Sequence, residues 1–228
     1  MVKTVIIFVD SSLELIPKAL QDTTIAKKYA KKRRRHASRL LLDSSYHYKL
    51  MRDLPNHRKR GRPDILHTCL LTVLGTPLVK FKPHDCRILV HTYNHKLIEF
   101  NPETRIPKNY NRFVGLMEQL FSKKVIKTNG KKLISIINQS TIKQEIKDIP
   151  SQHRMIFSSR GKLMNLSNVF QKRALEDLVL IIGGFPFGDF SSEILQLSKI
   201  KISISSSPLE AWIVAARVLY EREKTILH

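Results

Sequence analysis

IIGGFPFGDFSSEILQLSKIKISISSSPLEAW, residues 181–212, is the stretch that decides the fold. An apolar run, Leu178 to Ile182, meets Gly183 and Gly184. A second apolar run, Ile200 to Ile204, meets Ser205, Ser206 and Ser207, and Pro208 is expected to open an apolar-periodic helix. Two strands thus end in small, bendable residues close to one helix N-terminus. Backbone N–H and C=O groups exposed there suit an adenosine-type cofactor. The same pattern also fits two ordinary strand-to-loop turns, because isolated glycine patterns carry little information by themselves.

Working outward, the pattern stays α/β. Met155 onward reads as a strand, and the last helix carries Leu209, Trp212, Ile213, Ala216, Leu219 and Tyr220 on one side. At the other end, Val2 to Val9 is a β-branched run that reads as a buried first strand. Ser11 or Ser12 is expected to cap the helix after it, with Pro17 interrupting or delaying that helix. Lys27 to Arg39 reads as a helix that is basic all round, followed by a short strand, Leu40 to Leu42, ending at Asp43. Pro63 opens a helix with one apolar face, closed by Gly75 and Pro77. Cys86 to His91 and Lys96 to Phe100 form a hairpin, and a helix carries Phe113, Leu116, Met117, Leu120 and Phe121. Lys123 to Ile149 has a weaker pattern, with a turn at Asn129-Gly130. Strands alternating with helices imply a mostly parallel sheet, whose ligands sit at the strand C-terminal ends.

Composition narrows the partner. Lys and Arg outnumber Asp and Glu by 40 to 19 in 228 residues, a formal charge of +21, while 42% of residues are hydrophobic. This is a folded chain with a strongly positive field, and its partner is polyanionic. No apolar run reaches transmembrane length, and MVKTVIIFVDSS reads as a strand and not a signal peptide, so nucleic acid is favoured over a membrane. Two cysteines, Cys69 and Cys86, are too few for a disulfide framework or a thiolate zinc site. His36, His47, His57 and His67 share no metal-ligand spacing. Reduced thiols, an intracellular compartment and no metal are the expectations.

Five ordered segments carry a resemblance. RPDILH (Arg62 to His67), CLLTVLGTPL (Cys69 to Leu78), IEFNPETRIPKNYNRFVGLMEQLF (Ile98 to Phe121), GGFPFGDF (Gly183 to Phe190) and SISSSPLEAWIVAARV (Ser203 to Val218) occur in that sequence. Together they resemble the ribosome-biogenesis methyltransferases that modify N1 of a pseudouridine in small-subunit rRNA. That family belongs to the SPOUT class of S-adenosylmethionine enzymes. The resemblance spans Val5 to Val218 and is weakest between Lys123 and Gln152.

The resemblance implies one α/β domain over residues 1–228, with helices on both faces of the sheet. It implies an RNA-binding insertion within 43–125 and a cofactor-binding part, 153–228, tied in a trefoil knot. It implies a homodimer formed through the knot region. The S-adenosylmethionine pocket would be lined by Phe157, Gly183, Gly188, Asp189, Phe190, Ile202, Ser203, Ile204, Ser205, Ser206 and Ser207. Arg62 would meet the RNA and Asp64 would steady it, since a carboxylate two residues away can orient a guanidinium fork. Arg105 and Arg112 match two further RNA-binding arginines. Lys108 stands where relatives carry arginine, so it keeps the charge and loses the bidentate fork. Arg58, Lys59 and Arg60 would widen the basic surface. Asp43 is either pocket-side or a plain turn or cap, because Ser44, Ser45 and Tyr46 replace the acidic residues common after it. In the implied reaction Arg62 stabilises charge on the base, and Asp64 acts as orienter first and base second. The start at the first strand resembles archaeal members, which implies a cytoplasmic protein. Two rivals stay open: another SPOUT enzyme acting on tRNA, and a non-catalytic RNA-binding assembly factor.

Overall fold

The computed structural model describes residues 2–227. In chain order the elements are β1 (Thr4–Ser11), α1 (Lys18–Gln21), α2 (Thr24–Arg33), α3 (Ser44–Met51), α4 (Pro63–Gly75), α5 (Pro77–Phe81), β2 (Cys86–Thr92), β3 (Leu97–Phe100), α6 (Tyr110–Lys123), β4 (Val125–Thr128), β5 (Lys131–Ile137), α7 (Ile142–Glu145), β6 (Arg154–Leu163), α8 (Leu166–Gln171), β7 (Leu178–Gly183), α9 (Ser192–Leu195), β8 (Ile200–Ser203) and α10 (Ala211–Leu227). The strands form one sheet in the order β4-β5-β3-β2-β1-β7-β6-β8. From β2 to β8 neighbouring strands run parallel. The β3, β5 and β4 edge is antiparallel. The mostly parallel α/β sheet expected from the strand–helix alternation is therefore present.

The periodicity of β1 explains why helices cover both faces. All eight of its residues are buried. Ile6 and Phe8 enter the core shared with α4, α6 and α10, while Val5, Ile7 and Val9 enter a second core with Ile142, Ile146, Ile149, Ile194 and Leu197. Side chains alternate across a strand, so a strand buried on both sides must be apolar throughout. A third, smaller core of Ile16, Leu20, Ala26, Ala37, Leu40, Leu42 and Met51 sits under α1, α2 and α3. Cys69 and Cys86 are free and buried, and burial pushes the Cys86 thiol up to about 12.

Several local expectations shift. Ser11 and Ser12 do not cap a helix: Ser12 Oγ donates to the Lys59 carbonyl at 2.6 Å, and Pro17 immediately precedes α1. The basic helix stops at Arg33, because Arg34 turns left-handed at φ 50°. Buried Glu118 of α6 then receives Arg33 and Arg35, each at 3.0 Å, together with the Leu41 N–H at 3.3 Å. Leu40 to Leu42 is not a strand. It is a buried segment with one bridge, Leu15 to Leu41. Pro208 does not open the last helix, which begins at Ala211 after Glu210 accepts from the Ile213 and Val214 amides. The weakly patterned stretch after Lys123 contains the β4–β5 hairpin, turned at Asn129 and Gly130 with φ 49° and 76°. Both residues there tolerate the left-handed region.

Candidate cofactor cleft and nucleic-acid interface

Register brings three strand ends together. Phe157 of β6 lies opposite Ile182 of β7 and also opposite Ile202 of β8. Beyond them a cleft of about 420 Å³ opens. Its wall contains Phe157, Gly183, Gly188, Asp189, Phe190, Ile202, Ser203, Ile204, Ser205 and Ser207. Ser206 departs from the expectation: it is exposed and lies outside the wall. The loop alternates direction there, and Ser205 accepts the Ser207 amide at 3.3 Å while its own carbonyl receives Ser203 Oγ at 2.7 Å. Gly188 has φ 100°, a conformation that disfavours any side chain, so the loop can turn at that point. Ser158, Ser159 and Arg160 complete the wall from a bulge in β6, together with Phe185, Leu209 and Ala211. The bulge carries no advance signal, because its residues are ordinary for a strand edge.

A polar clamp holds the cleft loop. Lys59 Nζ donates to Asp10 Oδ2 at 2.8 Å and to the Asp189 carbonyl at 2.6 Å, and lies 4.1 Å from the Phe185 ring centroid. Ser191 donates to the same Asp10 carboxylate through its amide, 2.7 Å, and its hydroxyl, 3.0 Å. Asp10 itself is buried and left-handed, φ 50°, at the end of β1. Lys59 is thus a structural part of the cleft and not free surface charge. Arg60 is likewise buried, forked onto Glu14 at 2.6 and 2.7 Å. Of the basic triplet only Arg58 widens the surface, with its guanidinium 5.5 Å from the Phe187 ring. Buried charges need partners, so two of three adjacent cations were drawn inward to acids on β1 and the loop after it.

The second region surrounds the start of α4. Arg62 Nε and Nη2 donate to Asp64 Oδ1 and Oδ2, each at 2.8 Å. Asp64 therefore orients the fork, and this hydrogen bonding raises the Arg62 pKa above its already high ordinary value. Both side chains remain about two-fifths exposed. Glu210 acts electrostatically on Arg62, and its neighbours Leu209 and Ala211 line the cleft. Asp43 is not in the cleft wall. It caps α3 by accepting the Ser45 amide at 2.8 Å, and it accepts the Tyr110 hydroxyl at 2.5 Å. Burial, with Asp43 alongside, pushes the Tyr110 phenol far up, so it remains a donor. His67 bonds the Pro107 carbonyl at 2.7 Å and stacks on Phe113, which fixes the loop that displays Arg105 and Lys108. Arg105, Lys108 and Arg112 are exposed and form no ion pair among the described residues. No helix among the described residues is long and apolar enough to cross a membrane.

Known proteins share this organisation. The family model described as EMG1/NEP1 methyltransferase matches residues 6–223. The ribosomal RNA small subunit methyltransferase Nep1 of Thermococcus sibiricus is 41% identical over 225 residues, covering 97% of this chain and 98% of that protein. The protein of the same name from Pyrococcus furiosus is 38% identical over 224 residues, with 97% of each chain covered. Among solved structures, Archaeoglobus fulgidus Nep1 bound to S-adenosylhomocysteine superposes with a TM-score of 0.89 at 34% identity, covering 99% of this chain and 100% of that one. With full-length agreement in sequence and in fold, the chain belongs to the EMG1/NEP1 methyltransferase family.

Proposed function

We propose that the protein methylates N1 of a pseudouridine in small-subunit rRNA, with S-adenosylmethionine in the cleft at the ends of β6, β7 and β8. The observation that carries this reading is the adjacency of two sites. An apolar, loop-walled cleft lies beside Glu210, and Glu210 is within electrostatic reach of a pre-oriented, part-exposed Arg62. The cleft residues fit a nucleoside cofactor. Its volume falls in the range of small-molecule sites, its floor is aromatic and aliphatic, and its rim offers serine hydroxyls and loop backbone. A relative of the same fold binds the demethylated product of that cofactor.

When bound, S-adenosylmethionine supplies a methyl group on a sulfonium centre. The chain's own residues do the rest. Pseudouridine is attached through carbon, so its N1 carries a proton and is not reachable in a packed stack. The base must be turned out of its helix or lie in a loop. The cleft rim aligns the nitrogen, and good alignment contributes on the order of 7–11 kcal/mol. The N1 proton passes to solvent water, and the negative charge it leaves spreads over the ring. Arg62 stabilises it with the guanidinium edge that Asp64 does not occupy. Asp64 orients; a carboxylate already forked onto arginine is a poor base. Arg105, Lys108 and Arg112 hold RNA phosphates around the loop that His67 of α4 fixes through the Pro107 carbonyl.

The finer architecture follows the same reading. We assign the chain to the SPOUT class, as a single domain with a knotted part at 153–228 and RNA-binding residues within 43–125. The close passage of β6 over β8, where both Phe157 and Lys162 pair with Ile202, supports a threaded crossing. Exposed Leu163, Met164, Ile213 and Tyr220 on that part support a homodimer. The cytoplasm is the compartment where such an rRNA enzyme works.

Two experiments test this. A pseudouridine-containing rRNA hairpin should accept methyl groups while its uridine twin does not. Equal labelling of both would remove the N1 assignment, and no binding of S-adenosylhomocysteine by calorimetry would favour a non-catalytic assembly factor. Second, Arg105→Ala and Arg112→Ala should each weaken hairpin binding and reduce the slope of log affinity against log salt by about 1. A slope equal to wild type in both variants would take these arginines off the RNA surface.

A further inference from the structure

The loop that walls the cleft continues into α9, and there it meets the β2–β3 turn. We propose that His91, His95 and Glu193 form a binding site for a divalent transition metal of the zinc type. One donor atom from each lies within 4.8 Å of the other two. His95 Nδ1 and Glu193 Oε2 are already 3.3 Å apart. Ligand atoms of a tetrahedral zinc site sit roughly 3.3 Å from one another, so that pair needs no rearrangement.

The third member carries an independent sign. His91 is 3% exposed, and its Nδ1 is buried with no hydrogen-bond partner. Buried polar atoms are nearly always satisfied, so an unmatched imidazole nitrogen beside two other metal-type donors requires an explanation. Asp10 Oδ1 stops 3.8 Å from that nitrogen. That separation is too long for a hydrogen bond, so the carboxylate leaves the nitrogen unsatisfied. Asp10 is also neutralised by Lys59 and held by Ser191, so it is a fixed reference point and not a competing mobile ligand. His95 sits at φ 56°, a conformation that a non-glycine residue adopts at a cost and that turns it toward His91, with ring centroids 5.4 Å apart. The hairpin sets this spacing: Thr92 and Lys96 close the turn, and the Thr92 carbonyl accepts the His95 amide at 2.9 Å.

Two imidazoles and one carboxylate are a donor set suited to zinc, and three protein ligands leave a coordination position for water. An ion there would fasten the β2–β3 turn to the start of α9 and so brace the loop behind Phe190. Sequence spacing did not reveal it, because Glu193 lies far along the chain, in α9 after β7.

The test uses tag-free, full-length protein stripped with chelator and titrated with zinc chloride or cobalt chloride. Calorimetry should find one ion per chain, and cobalt should give the intense visible bands of a low-symmetry site. His95→Ala and Glu193→Gln, both at exposed positions, should each weaken binding about tenfold or more. His36→Ala should leave it unchanged. Zinc should also slow amide exchange in residues 92–96 and 190–195 of the wild type, which adventitious binding to a distant histidine would not do. Absence of stoichiometric binding, or wild-type affinity in both His95→Ala and Glu193→Gln, would overturn the site.

Discussion

Arg62→Ala should lower kcat/KM for methylation of the pseudouridine hairpin by about 10²–10³-fold, the loss typical when one donor to a developing anion is removed. The effect should fall on the RNA side only. Arg62 does not line the cleft, so affinity for S-adenosylhomocysteine should stay at the wild-type value. Arg62→Lys should recover little, because an ammonium cannot reproduce a planar fork held by two 2.8 Å bonds to one carboxylate. Asp64→Asn should give a smaller loss, since it loosens the fork without removing the charge. Wild-type turnover in Arg62→Ala would exclude the proposed role.

The second large effect is on stability. Gly161 lies in the bulge where β6 pairs with β8, and a Cβ there would stand 2.6 Å from the backbone of Ile202 and Lys201. That neighbouring backbone cannot swing aside as a side-chain tip can. Gly161→Ala should therefore cost about 3 kcal/mol and lower Tm by roughly 6–12 °C. Ile202, Ser203 and Ile204 line the cleft, so cofactor affinity should fall with it. Gly115→Ala is the control. It sits within α6 with nothing within 4 Å of the added methyl, and alanine there should stabilise by about 0.5–1 kcal/mol. Equal melting temperatures for the two variants would show that the bulge has room for a methyl group.

Gly161 illustrates why part of the site escaped notice. Its neighbours, SSRGKL, read as an unremarkable end to a strand. Only the second pairing of Lys162 with Ile202 makes the glycine obligatory. By contrast Gly183, Ser205 and Ser207, which line the cleft, were legible in advance, because small residues directly after apolar runs mark strand ends. Arg62 and Asp64 were reached through the resemblance that RPDILH carries, since composition alone reads them as ordinary surface charge. Asp43 was ambiguous in sequence and became a cap once the Ser45 amide and Tyr110 hydroxyl reached it.

The amino-acid order alone determined β1, α4, β2, β3, α6, β6, β7, β8 and α10 as the strand–helix frame, the basic field and the family, because each depends on local periodicity, summed charge or motif order. Tertiary structure alone decided which cations stay free. Lys59 and Arg60 go inward to Asp10 and Glu14 while Arg58 stays out, and His91 and His95 meet Glu193. Such pairings join segments far apart in the chain. A charged or imidazole side chain finds its partner only after the sheet register has set which loops face each other, and no local pattern encodes that register.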